Sequence, residues 1–168
     1  MKKKLFSVMI AAMTCLLGAA AIMYANVDLS GEWTLNQTKS ELGEWGERIA
    51  PKKLKITGQP GALSVDRLAP NMEGQEVATV EKLSFDGKES ESIMFGNSKK
   101  KSTAKWSDDG KALTVNSTIL LDVNGEVTDI KVVEVYTLSS DGKALNLEST
   151  SNSTFGTSVM KLVYDKAK

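Results

Sequence analysis

Few residues in this chain are equipped for chemistry, and the missing types are as informative as those present. None of the 168 residues is histidine, and the single cysteine, Cys15, lies inside an N-terminal apolar run. The commonest general base, the commonest metal ligand and the thiol nucleophile are therefore absent from the body of the chain. Carboxylates remain for acid–base work, but most Asp and Glu fall in turns or on the polar phase of alternating runs, where water solvates them. Glu134 stands apart, because it shares a phase with Ile130, Val132, Tyr136 and Leu138; Val133 and Val135 make the opposite phase apolar too, so its direction stays open. Arg67 falls in phase with Leu63 and Val65. Pointing inward it would offer a bidentate contact to an anionic head group, and pointing outward it would be solvated.

Trp106, Tyr136 and Tyr164 complete the candidate ligand-binding set with Arg67, although strand aromatics are more often plain core. Ser117, in phase with Val115 and Ile119, and Ser149, in phase with Leu145 and Leu147, place hydroxyls on an apolar phase and point to a partly polar interior. Asp122-Val123-Asn124-Gly125-Glu126 has a trace of calcium-loop spacing, but the glycine and distal glutamate positions do not match, and a hairpin turn accounts for it. No catalytic residue, metal or cofactor is assigned, and the chain reads as non-enzymatic.

The elements that must position these residues are strands. Leu29, Gly31, Trp33 and Leu35 alternate with Ser30, Glu32, Thr34 and Asn36, and Leu54 and Ile56 alternate with Lys53, Lys55 and Thr57. Gln59-Pro60-Gly61 then turns the chain into the run containing Leu63, Val65 and Arg67. Further strands are expected over 75–85, 88–95, 100–107, 111–121, 125–138, 143–150 and 156–165, with a loop over 69–75. Most of their separators are pairs that supply tight hairpin turns: Asp86-Gly87, Gly96-Asn97, Asp109-Gly110, Asn124-Gly125 and Asp141-Gly142. A weak internal repeat, WSDDGKALTV at 106–115 against LSSDGKALNL at 138–147, reads as one hairpin solution used twice. The only helical candidate, 39–48, contains Gly43 and Gly46 and would be short. The fold expected is all-β, an antiparallel up-and-down barrel of about 8–10 strands, because closure removes the exposed edges of a long meander. An open or two-layer sandwich is the alternative architecture.

Residues 1–25 have the layout of a secretory signal peptide: Lys2, Lys3 and Lys4, an apolar run from Leu5 to Ile22, and then Met23-Tyr24-Ala25. Thr14 stands before Cys15 where a lipoprotein site wants a small residue, so lipid anchoring is not expected. Residues 26–168 form a single domain that would be exported to the periplasm or beyond, with no stable membrane span after cleavage. Without the three signal lysines, 18 basic residues face 21 acidic ones, a net charge of −3 that argues against nucleic acid as a partner. With no cysteine left, packing alone must stabilise the fold.

The string Gly31-Glu-Trp33-Thr-Leu35-Asn36-Gln-Thr-Lys39-Ser40-Glu-Leu-Gly43 resembles the first strand of lipocalin-like proteins of the calycin superfamily, and a group of small exported bacterial proteins in particular. The resemblance implies a barrel whose first-strand tryptophan packs across the closed end, so that Gly31 and Trp33 are structural, with a cavity above. It carries no further residues. Lipocalins cover the tryptophan with an arginine near the last strand, where this chain offers Lys161; fatty-acid-binding proteins hold a carboxylate with Arg-x-Tyr, where this chain has Met160-Lys161-Leu162-Val163-Tyr164. The expected function is binding of a small apolar or amphipathic molecule in the cell envelope. Two alternatives stand beside it: a cavity-free interaction module, motivated by the Lys, Ser and Thr of 98–105, and an envelope hydrolase or isomerase using Glu134.

Overall fold

In a computed structural model, described for residues 25–71, 73–94, 98–123, 126–154 and 156–167, ten antiparallel strands run in chain order. They are β1 (Gly31–Leu35), β2 (Lys53–Gln59), β3 (Ala62–Pro70), β4 (Glu76–Ser84), β5 (Ser90–Ile93), β6 (Lys99–Trp106), β7 (Ala112–Val123), β8 (Glu126–Leu138), β9 (Ala144–Ser153) and β10 (Gly156–Lys166). The sheet order is β4-β3-β2-β1-β10-β9-β8-β7-β6-β5, so each strand pairs with its sequence neighbours and β1 meets β10. The meander thus rolls into a nearly closed barrel, and the expected fold class holds. The strand β3 runs to Pro70, into what reads in the sequence as loop, because Leu68, Ala69 and Pro70 still pair with β4. Residues 1–24, including Cys15 and most of the expected signal peptide, and the expected turn pairs Gly96-Asn97 and Asn124-Gly125 lie outside the described residues.

The repeat is one turn built twice. Asp109 Oδ1 accepts from Ser107 Oγ and the Lys111 amide, while the Ala112 amide donates to Ser107 Oγ. Asp141, Ser139, Lys143 and Ala144 reproduce the same set. Gly110 and Gly142 sit at φ 69° and 68°, which side chains resist, so the two Asp-Gly pairs are dictated by turn geometry.

Alternation puts one face of every strand inside. Trp33, Leu54, Val65, Leu113, Val115, Tyr136, Leu145, Leu147, Leu162 and Tyr164 are all buried. Trp33 occupies the closed end, where the segment before β1 crosses beneath it: Trp33 Nε1 donates to Leu29 O (3.1 Å), and the Val27 amide reaches Gly110 O (2.9 Å). The cation over the Trp33 ring is Lys166, with Nζ 5.2 Å from the centroid, and not Lys161, which pairs with Glu41. Register decides this, since Lys166 stands opposite Trp33 across the β1–β10 ladder.

The connector after β1 is pinned along β10. Asn36 accepts from the Lys39 amide and donates to Asp165, and Ser40 Oγ accepts from the Val163 amide. Glu41 and Lys161 exchange both backbone hydrogen bonds. Gly43, at φ 64°, packs so tightly that a Cβ there would lie 2.8 Å from Val159 O. Among the described residues the helix is limited to a 3-10 turn (Gln37–Lys39) and a single-turn helix α1 (Gly46–Ile49), and Gly46 lies against Leu42 and Met160. Asn36, Ser40 and Gly43 are therefore fastening residues.

Candidate functional site

The barrel interior is crossed by a buried ionic network. Arg67, from the inward phase of β3, lies only 8% exposed. Its Nη1 and Nη2 donate to the two oxygens of Glu134 on β8 at 2.8 and 2.9 Å, a bidentate pair. The Nη2 atom also donates to Tyr136 Oη (2.6 Å) and Glu81 Oε2 (3.3 Å). Lys100 on β6, 3% exposed, donates to Glu81 (2.8 Å) and Glu134 (3.3 Å). Ser102 donates to the other oxygen of Glu81 and lies 2.9 Å from Ser117 Oγ. Two cations thus face two carboxylates, and the network is electrically balanced.

Burial sets the price of these charges and their neighbours decide the outcome. Desolvation works against an ionised Glu134, but the charges of Arg67 and Lys100 and their hydrogen bonds outweigh it and hold the carboxyl at about 2, against an ordinary value of 4.5. Burial likewise opposes the Arg67 charge, yet Glu134, Tyr136 and Glu81 raise its pKa well above the usual value. Burial pushes the Tyr136 hydroxyl upward, so it stays neutral. Because the folded state depresses the Glu134 pKa, its stabilising contribution is complete above the unfolded value and lost as pH falls through the folded one. Unfolding free energy should fall by a few kcal/mol between about pH 5 and about pH 2. Glu134→Gln should flatten that slope in denaturant titrations across the same window.

The network also closes the barrel. Strands β4 and β5 stand at the two ends of the sheet order, and no backbone ladder joins them among the described residues. Glu81 on β4 spans this seam to Lys100 and Ser102 on β6, and Phe85 meets Trp106 edge to face with centroids 5.9 Å apart. Side chains therefore do at the seam what amides do elsewhere.

A cleft of about 660 Å³ opens at the end of the barrel opposite Trp33. Inward Leu121, Ile130, Ser151 and Ser158 form its inner wall, and Gly43, Glu44 and Trp45 of the connector with Val159 form its rim. Trp45 is 47% exposed. The position is fixed by β10, whose Gly156 lines the cleft while its Lys166 pairs with Trp33.

Of the residues singled out in the sequence, Arg67, Glu134 and Tyr136 meet directly, all facing inward. Trp106 is half-buried at the seam, its Nε1 buried and unpartnered, and Tyr164 is buried with its hydroxyl donating to Pro51 O (3.0 Å). None of these lines the mouth cleft. Sequence reasoning missed Glu81, Lys100 and Trp45. For Glu81 a signal existed, since it shares one phase with Val77, Thr79 and Leu83; Lys100 is hidden inside Lys99-Lys100-Lys101, whose middle member alone is buried. The polar stretch 98–105 is accordingly half interior, with Ser98, Lys100, Ser102 and Ala104 buried.

No protein-family model matches the sequence, and no curated protein matches it. The fold is similar to that of the zebrafish ileal bile acid-binding protein solved in complex with cholic acid, with a TM-score of 0.56 and 20% identity over 82% of this chain and 98% of that one. What the two share is the fold, a rolled antiparallel β-meander of the kind that the resemblance of Gly31-Glu-Trp33 led one to expect.

Proposed function

We propose that the protein is an exported, non-enzymatic binding protein that holds one small apolar or amphipathic molecule in the cleft at its barrel mouth and acts in the cell envelope. The observation that carries this reading is the cleft itself. Its 660 Å³ falls within the range of small-molecule sites, roughly 300–1,000 Å³, and apolar Trp45, Leu121, Ile130 and Val159 alternate there with hydroxyl side chains. The likeness in fold to a bile acid-binding protein supports it, as does the signal-peptide layout of residues 1–25.

A hydrolase or isomerase acting through Glu134 fits less well. A carboxylate held at about 2 and gripped by Arg67 is a weak proton acceptor near neutral pH.

Native mass spectrometry of protein prepared from envelope fractions without detergent should find a small molecule retained one to one. Ile130→Arg, which places a charge on the inner wall, should release it. Absence of any retained molecule, together with unchanged Trp45 fluorescence across a panel of apolar probes, would overturn the reading. N-terminal sequencing of the same material should begin at Asn26.

A further inference from the structure

From the polarity of the barrel interior we infer the class of molecule that the cleft accepts: a neutral amphiphile carrying hydroxyl groups, discriminated from carboxylates of the same hydrocarbon chain. This rests on the reading of the cleft as a ligand site. Three observations carry it.

First, the interior holds no uncommitted positive charge among the described residues. The cations buried inside among these residues, Arg67 and Lys100, are matched by Glu81 and Glu134 at hydrogen-bonding distance. A ligand carboxylate entering there would bring an unpaired negative charge into a poorly solvated space, which is costly unless a cation is freed to meet it. Second, the single charged residue lining the cleft among the described residues is Glu44, which repels an anion at the rim.

Third, hydroxyls lead inward from the cleft in one register row. Ser158 pairs with Ser151, Ser151 with Val132, Val132 with Ser117, and Ser117 with Ser102. Directly paired residues stand about 5 Å apart, so the row forms a belt across five strands interrupted only by Val132. Its outer members, Ser151 and Ser158, line the cleft, and its inner members rest on Glu81. A hydroxyl can both donate to and accept from other hydroxyls, whereas a purely hydrocarbon ligand would strip these serines of water and return nothing.

The test compares laurate, its neutral glycerol ester monolaurin, and methyl laurate, which share one acyl chain, by calorimetric titration of the mature protein near neutral pH and below micelle formation. Monolaurin should bind at least roughly tenfold more tightly than laurate, because desolvating an unpaired carboxylate is expensive, and severalfold more tightly than methyl laurate. Ser151→Ala/Ser158→Ala should lower monolaurin affinity by roughly tenfold without lowering that of methyl laurate, which no longer has to desolvate the two hydroxyls. Glu44→Lys, on the exposed rim and clear of the core, should raise laurate affinity severalfold.

Laurate binding as tightly as monolaurin would overturn the inference and leave the cleft standing as a ligand site. A double serine variant that binds monolaurin like wild type would likewise overturn hydroxyl recognition. If none of the three lipids binds, the cleft reading fails, and the inference fails with it.

Discussion

Arg67→Met should cost roughly 3–5 kcal/mol of stability, seen as a lower denaturant midpoint at unchanged slope. Methionine fills most of the arginine volume, so the loss is not chiefly a cavity effect. The substitution removes both guanidinium bonds to Glu134, the donor to Tyr136 Oη and the 3.3 Å contact to Glu81. Two buried carboxylates then share Lys100 alone, and one must take up a proton or draw water into the barrel. Replacing all four charged members, Arg67, Glu81, Lys100 and Glu134, with methionine should recover most of the loss, because a buried network compared with well-packed apolar groups is close to neutral in stability. A single variant that melts like wild type would show that the interior is wetter than its burial indicates.

That comparison separates two jobs of the network. If the quadruple variant is stable yet loses the seam between β4 and β6, the charges serve to hold the barrel shut at its unpaired edge. Hydrogen exchange of β4 and β5 amides reads this directly, since a loosened seam opens locally before the barrel unfolds. Glu81 is the pivot, because it alone bonds Lys100, Ser102 and Arg67 from the seam side.

The strands were legible because period-two alternation and Asp-Gly turns are local signals. The two copies of the Ser-x-Asp-Gly-Lys-Ala turn show how completely a short string can dictate its geometry. Individual members of the network were legible too, since Arg67 and Glu134 break the apolar phase of their strands. Their partnership was not, because 67 residues separate them and only barrel closure brings them within 2.8 Å. The cleft was hidden for a related reason: it is built from the ends of four strands and a connector that has no periodicity to read. Lys166 shows the limit most sharply. The sequence reading ends the last strand at 165 and offers Lys161, but β10 runs on to Lys166, and register sets that residue opposite Trp33.

Trp33 and Trp45 should respond to alanine in opposite ways, and the contrast decides what Gly31-Glu-Trp33 stands for. Trp33 is 1% exposed, bonded through Nε1 to Leu29 O and covered by Lys166. Trp33→Ala should therefore cost roughly 3–5 kcal/mol, by removing a large buried side chain from a closed end that cannot collapse to fill the space. Trp33→Phe should cost less, keeping most of the packing while losing the hydrogen bond that ties the segment before β1 beneath the barrel. The Trp45 side chain makes no cap hydrogen bond to α1 and is half exposed, and its carbonyl, which accepts from the Arg48 and Ile49 amides, is kept by alanine, so Trp45→Ala should change stability by no more than about 1 kcal/mol. Its effect should fall on retention of the cleft's ligand, measured by native mass spectrometry. Should Trp33→Ala keep its denaturant midpoint but lose the ligand, the first-strand tryptophan would belong to the binding site. The geometry argues the reverse, since ligand and Trp33 would stand at opposite ends of β10 with the ionic network between them.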